Sequence, residues 1–365
     1  MTQYSIKPKI IVGPISLDTI EKFKLGKNIL ILVSKTIFKS FNLSLIFDEL
    51  KKDKNVFVYS HIRPDAPFED LDHVIDDLHE MKLDNIIAIG GGSIIDAAKA
   101  LSVSFQGINY KDLFYKKADM PTNKIKVLAI PTTAGTGAEL SFGAIIYDEI
   151  DGVKGGLRGS IIQPDEVLID ARLHNACPFK LKAEVGFDCL THAVETYISK
   201  KSNSLVRNQS INCIKNIFNY LIPACKENNL EAMQKIAISS SLMGINLAYS
   251  STCLPHRIQY VIGPLTGTSH AQGLIALYKG WLYHLVDINL KELNDLVNDL
   301  QMSVDKFMSE IQNLKETLNI DYSIVDLGMN KDQIENVSSN VTGNVFADPS
   351  YKDIGTIKKI LTNSL

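Results

Sequence analysis

Four short runs, at 29–33, 56–59, 86–89 and 127–130, are apolar at nearly every position. A strand with one wet face alternates apolar and polar residues, so a strand without alternation must be covered on both faces. Between the second and third runs, Leu71, Val74, Ile75, Leu78 and Met81 form one stripe at helical spacing. Strand, helix and strand in repetition predict a parallel, doubly wound α/β layer. The segment 142–175 adds a hairpin, turning at Asp151-Gly152, and one more strand ending at Asp170.

From about residue 178 helical stripes take over, first Ile211, Ile214, Phe218 and Leu221, then a long one from Leu293 through Leu318. The expected fold is therefore an α/β N-terminal domain, residues 1–177, followed by an all-α C-terminal domain, residues 178–365, with Pro178 at the boundary. A chain of 365 residues exceeds what one core ordinarily serves, which agrees with two domains.

The net charge of −3 and the absence of a basic run give no reason to expect nucleic acid or an acidic membrane as partner. The N-terminal stretch lacks the basic-then-apolar layout of a signal peptide, and no apolar run approaches the ~20 residues that span a bilayer. Five cysteines, none in a C-x-x-C pair, suit reduced thiols in a cytoplasm.

The third apolar run ends in Gly90-Gly91-Gly92-Ser93, and a helix follows at once. Glycines allow a tight turn and a close ligand, Ser93 suits an N-cap, and the free N–H groups of the helix start make a seat for a pyrophosphate. A glycine turn that binds nothing reads the same way, and the stretch is not a G-x-G-x-x-G fingerprint. A second loop, 131–139, carries Thr132, Thr133, Thr136 and two glycines after the fourth run. Both loops fall at carboxyl ends of strands, where open α/β folds bind ligands. Arg158, among glycines, reads as a surface arginine.

Asp188 and His192 are four apart on a predicted helix, so both leave one face. Alone they read equally as a buried histidine held by a carboxylate. His256 and His270 are separated by a break at 263–269, which puts one on a helix and the other at the start of the next. One carboxylate and three imidazoles suit Fe(II) or Zn(II), with room for a substrate oxygen.

Taken together, Gly-Gly-Gly-Ser-x-x-Asp-x-x-Lys at 90–99, Pro-Thr-Thr-x-Gly-Thr-Gly-x-Glu at 131–139, Pro-Asp-x-x-x-x-Asp at 164–170, Asp-x-x-x-His at 188–192, His256 with His270, and the tail at 342–361 resemble the iron-containing (group III) alcohol dehydrogenases over nearly the whole chain. The resemblance implies a dinucleotide-binding first domain and a metal-binding helical second domain, with the active site in the cleft between. It implies Asp188, His192, His256 and His270 as metal ligands. It implies Gly90, Gly91, Gly92 and Ser93 around the cofactor pyrophosphate, with Asp96, Thr132, Thr133 and Thr136 along the cofactor. The implied enzyme is an NAD(P)-linked alcohol dehydrogenase or aldehyde reductase for a small-molecule substrate, and a homodimer is expected.

Three positions depart from the family pattern. Tyr260 stands where most members carry a second histidine, which points weakly to polar or anionic aldehydes. A phenol there suits a proton donor rather than a base, and packing explains it equally. Ser34-Lys35 replaces the Asp that usually meets the ribose of NAD, which tilts the cofactor towards NADP. Ala271 replaces the glycine that usually follows the last metal histidine, with Gly273 two further on. The rival readings are a relative of 3-dehydroquinate synthase or of glycerol-1-phosphate dehydrogenase, and a non-catalytic nucleotide-binding protein with a structural metal.

Overall fold

The computed structural model describes residues 7–365; most of the N-terminal stretch read for a signal layout lies outside them. The chain separates into two compact units, one ending at Cys177 and one running Pro178–Leu365.

Among the described residues the first unit carries eight strands: β1 (Lys9–Val12), β2 (Asn28–Val33), β3 (Asn55–Tyr59), β4 (Asn85–Gly90), β5 (Lys126–Pro131), β6 (Gly143–Asp148), β7 (Val153–Arg158) and β8 (Glu166–Ile169). Six form one parallel sheet in the order β1-β8-β5-β4-β2-β3, and β6 pairs antiparallel with β7. The chain runs outward from β2 to β3, then returns to the other side of β2 with β4. That reversal is the switch point where ligands of such folds bind.

Three of the four apolar runs have the covering expected of them; the fourth, β3, lies at the sheet edge and is only half-buried. Ile29, Ile31, Val33, Ile87 and Ile89 pack with Ile37, Leu43 and Phe47 on one face. Leu30, Leu32, Ile86 and Ala88 are equally buried on the other. The helix Gly92–Ser104 is buried from Ile94 to Val103. Strand β1 was not legible beforehand: it has four residues, mostly exposed, and lies at the sheet edge beside β8.

The motif at 164–170 serves this sheet. Asp165 accepts from Val127 N at 2.9 Å and pairs with Lys124. Asp170 accepts from Ile15 N at 2.8 Å and from Arg172. Arg158 ends β7, exposed.

The second unit is helical throughout. The helix Phe179–Ile198 is buried at nearly every position from Lys182 onward, which makes it the central helix of its unit rather than an amphipathic surface one. Ser204–Lys226 and Leu230–Tyr249 follow it, then Leu254–Thr266 and His270–Asp287. The long stripe from Leu293 is two helices, Lys291–Leu300 and Val304–Thr317. They separate at Gln301, whose φ of 61° ends the first, and Ser303 caps the second. The break at 263–269 is shorter than expected: Gly263 and Pro264 stay helical, and the chain turns at Gly267, with φ 65°. Among the described residues no helix is long and apolar enough to cross a membrane.

The C-terminal helix Ile354–Asn363 packs on His270–Asp287 at Gly280. A Cβ there would stand 2.1 Å from Ser364 Oγ and 2.5 Å from the Ile360 carbonyl oxygen. Since one contact is backbone, the helices must separate to admit it. Gly280→Ala is expected to cost about 1–3 kcal/mol and to lower the unfolding midpoint by roughly several degrees. A thermal or urea melt indistinguishable from the parent would contradict this packing.

Candidate functional site

In the first unit, three chain segments meet at the carboxyl edge beside the switch point. Ser34 leaves β2, its N–H donating to the Ile89 carbonyl at 2.8 Å. Gly90 ends β4, and Thr132 N donates to its carbonyl at 3.0 Å. The two loops touch closely: a Cβ on Gly91 would lie 3.0 Å from Thr133 Oγ1, and one on Gly92 would lie 3.0 Å from Thr136 Oγ1. Any side chain there would push the hydroxyl loop away, so the glycines serve approach as well as turning. Gly137, with φ 59°, closes the second loop.

Two residues behave differently from expectation. Gly91, not Ser93, is the N-cap, and the helix already begins at Gly92. Ser93 Oγ instead accepts from Asp65 N at 2.9 Å, holding the loop after β3. Asp96 is buried one turn on, where its Oδ2 accepts from Ile145 N at 3.0 Å and ties the helix to β6. Its Oδ1 accepts no hydrogen bond but lies 3.6 Å from Lys99 Nζ. Lys99 in turn donates to the Gly143 carbonyl at 2.5 Å. Burial raises the Asp96 carboxyl and lowers the Lys99 ammonium, and each opposes the other's shift.

In the second unit, Asp188, His192 and Glu195 fall on one face of the central helix, all buried. His256 lies in the first turn of Leu254–Thr266, and His270 is the first residue of His270–Asp287. Ligand atoms of Asp188, His256 and His270 lie within 4.8 Å of one another. His192 adjoins this group: its Nε2 is 2.9 Å from His256 Nε2, and its Nδ1 is 3.6 Å from Asp188 Oδ1. All four predicted ligands thus meet, although His192 stands outside the mutually close trio.

Two further residues orient them. Glu195 Oε1 pairs with His256 Nδ1 at 2.8 Å, and its Oε2 accepts from Cys253 N at 2.7 Å. With Nδ1–H donated to Glu195, His256 presents the Nε2 lone pair to the cluster. Gln259 Oε1 bonds His270 Nδ1 in the same way. Gln259 is seated between two glycines, since a Cβ on Gly263 or Gly273 would come within 2.8 Å of it. That accounts for Gly273 where Ala271 departs from the family pattern. Both residues had a signal in the sequence, because Glu195 is seven beyond Asp188 and Gln259 three beyond His256. Asp348 had none. It is buried, accepts from Leu254 N at 3.0 Å and from Trp281 Nε1 at 2.9 Å, and so joins the two histidine-bearing helices.

Burial pushes the Asp188 and Glu195 carboxyls up and the His256 imidazole well down; His192 and His270 lower His256 further. Two buried acids and the His256 imidazole, whose protonation burial disfavours, make a donor set that a divalent cation would complete. The donor set therefore fits a transition metal. Tyr260 stacks on His270, with ring centroids 5.9 Å apart and planes at 21°. His174 and His284, outside this cluster, are also buried.

Replacing Glu195 by Gln leaves shape but removes the carboxylate behind His256. Affinity for Fe(II) or Zn(II), measured by competitive chelation, is expected to fall about 10–100-fold. Unchanged affinity would remove Glu195 from the site.

Comparisons with known proteins fall on this frame. Residues 7–171 match the family model described as iron-containing alcohol dehydrogenase, and residues 182–365 match the C-terminal model of the same family. The 1-propanol dehydrogenase PduQ of Citrobacter freundii is 27% identical over 296 residues, covering 80% of this chain and 75% of that one. Aldehyde-alcohol dehydrogenase 2 of Entamoeba histolytica is 26% identical over 300 residues, covering 78% of this chain but only 34% of the longer relative. A solved 1,3-propanediol oxidoreductase superposes with TM-score 0.91 over 100% of both chains at 22% identity, a likeness of fold. The synthase, phosphate-dehydrogenase and non-catalytic readings fall away, because both halves of the sequence match one family in order. The chain belongs to the iron-containing alcohol dehydrogenase family.

Proposed function

We propose that the chain is a metal-dependent, NAD(P)-linked alcohol dehydrogenase or aldehyde reductase, acting on a small and polar or anionic substrate. The observation that carries this reading is the convergence of buried Asp188, His192 and His256 with half-buried His270, in a chain whose family interconverts alcohols and carbonyl compounds. When bound, Fe(II) or Zn(II) polarises a carbonyl oxygen or acidifies an alcohol, and the nicotinamide exchanges a hydride at that carbon.

The chain's own residues bind, orient and screen. Asp188, His256 and His270 hold the metal, with His192 as the fourth ligand. Glu195 and Gln259 fix the imidazoles. The burial of Asp188, His192, Glu195 and His256 strengthens the charge interactions among them. Backbone N–H groups from Gly91 to Ser93 receive the pyrophosphate at the helix start, and Thr132, Thr133 and Thr136 line the cofactor. Asp96 supports that helix from below through Ile145. Tyr260, stacked on His270, donates a proton to the developing alkoxide.

NADP is the preferred cofactor. No carboxylate follows β2 to meet a ribose hydroxyl, and Lys35 stands exposed beside Ser34 to meet a 2′-phosphate. A homodimer in the cytoplasm is the expected working form; the family and the free cysteines support that reading.

The test is an aldehyde panel, anionic members included, run with NADPH and NADH on protein loaded with Fe(II) or Zn(II). Oxidation of the reduced cofactor is expected, and His256→Ala or His270→Ala should lose both bound metal and turnover. Full activity in a metal-free His270→Ala protein would overturn the assignment. Ser34→Asp is expected to shift the kcat/KM ratio towards NADH by roughly tenfold or more, through repulsion of the 2′-phosphate and a new ribose contact. An unmoved ratio would remove Ser34 from the cofactor site.

A further inference from the structure

Arg257 directly follows His256, on the same helix. Its guanidinium carbon lies 5.2 Å from the centroid of the Tyr260 ring, whose own centroid is 5.9 Å from that of His270. The same aromatic ring thus contacts both the guanidinium and a candidate metal ligand. One terminal nitrogen donates to the Thr252 hydroxyl. The other faces Gly343, where a Cβ would stand 3.5 Å away. Nε is buried and has no hydrogen-bond partner.

Among the described residues no carboxylate pairs with this arginine at ion-pair distance. Glu195 feels its charge only at longer range, being held already by His256 and Cys253. A guanidinium is a planar fork of five donors suited to an oxyanion, and in a half-buried place it ordinarily has one. Here the fork is partly used, its plane is supported by the tyrosine ring, and the strongest kind of partner is missing. Gly343, without a side chain, adds no bulk against one terminal nitrogen.

We propose that Arg257 receives an oxyanion carried by the substrate, so that the enzyme acts on aldehydes and alcohols bearing a carboxylate or a like acid group. This rests on the dehydrogenase reading above and narrows it to acid-bearing substrates. Arg257 is then a specificity-determining residue, and Tyr260 orients its fork.

The experiment compares succinic semialdehyde with butyraldehyde, equal in carbon number and differing in the acid group. The parent enzyme is expected to favour the acid by more than about tenfold in kcat/KM. Arg257→Gln should collapse that ratio by roughly 10–100-fold, mainly through KM for the acid, and Arg257→Lys should restore some of it. A binding readout accompanies the kinetics. Succinate should raise the melting temperature of the parent, and that rise should vanish in Arg257→Gln.

Equal loss on both aldehydes in Arg257→Gln, with the succinate shift retained, would mean that Arg257 only packs, and would overturn the inference. Turnover of butyraldehyde by the parent with no preference for the acid would overturn it too, while leaving the dehydrogenase reading intact. Failure of the parent to oxidise either reduced cofactor with either aldehyde would overturn the dehydrogenase reading, and this inference with it.

Discussion

The helical unit depends on one buried carboxylate, that of Glu195. One oxygen takes the N–H of His256, and the other takes the backbone N–H of Cys253, the cap of the helix that carries His256. The group that selects which histidine nitrogen faces the cluster therefore also fixes where the histidine's helix begins. Asp348 has the parallel role at the next backbone N–H, that of Leu254, and reaches through Trp281 to the helix that begins with His270. Such a network is worth keeping only when complete, because a buried acid that loses its partner costs several kcal/mol. Position and electrostatics at the candidate metal site are thus set by the same few oxygens.

The α/β unit solves a different problem by different means. Its carboxyl edge presents backbone N–H groups and hydroxyls rather than a cluster of buried charge, which suits the phosphates of the cofactor proposed to bind there. Parallel strands bring Ser34, Gly90 and Thr132 to one edge through main-chain hydrogen bonds alone. Below the edge, Asp96 and Lys99 fasten the glycine-turn helix to β6 and the loop before it. The glycines are needed because the threonine loop lies against them.

Much of this was legible in the sequence because it obeys short-range rules. The four apolar runs required a parallel sheet, and β2, β3, β4 and β5 are its strands; β2, β4 and β5 are buried on both faces, whereas β3 at the sheet edge is only half-buried. Asp188 and His192 share a face because a helix repeats every 3.6 residues. What stayed hidden depends on contacts between distant segments. Asp348 meets Leu254 across 94 residues, which no periodicity reveals. Ser93 is a good capping residue in isolation, yet the N-cap falls two residues earlier, at Gly91, with Thr136 close against Gly92. The stripe from Leu293 to Leu318 kept its apolar period across a turn, so only the positive φ at Gln301 divides it. Gln259 and Glu195 were within reach of a spacing argument, had their neighbours already been assigned as ligands.

The most direct test of a metal-centred site is anomalous diffraction from crystals of the protein grown with Fe(II) or Zn(II), recorded on both sides of the metal edge. One strong peak should appear with an Asp188 oxygen and nitrogens of His192, His256 and His270 at about 2.0–2.2 Å, and Glu195 should remain on His256 Nδ1. No peak among these side chains, or a metal bound elsewhere while the four stay paired with one another, would contradict it.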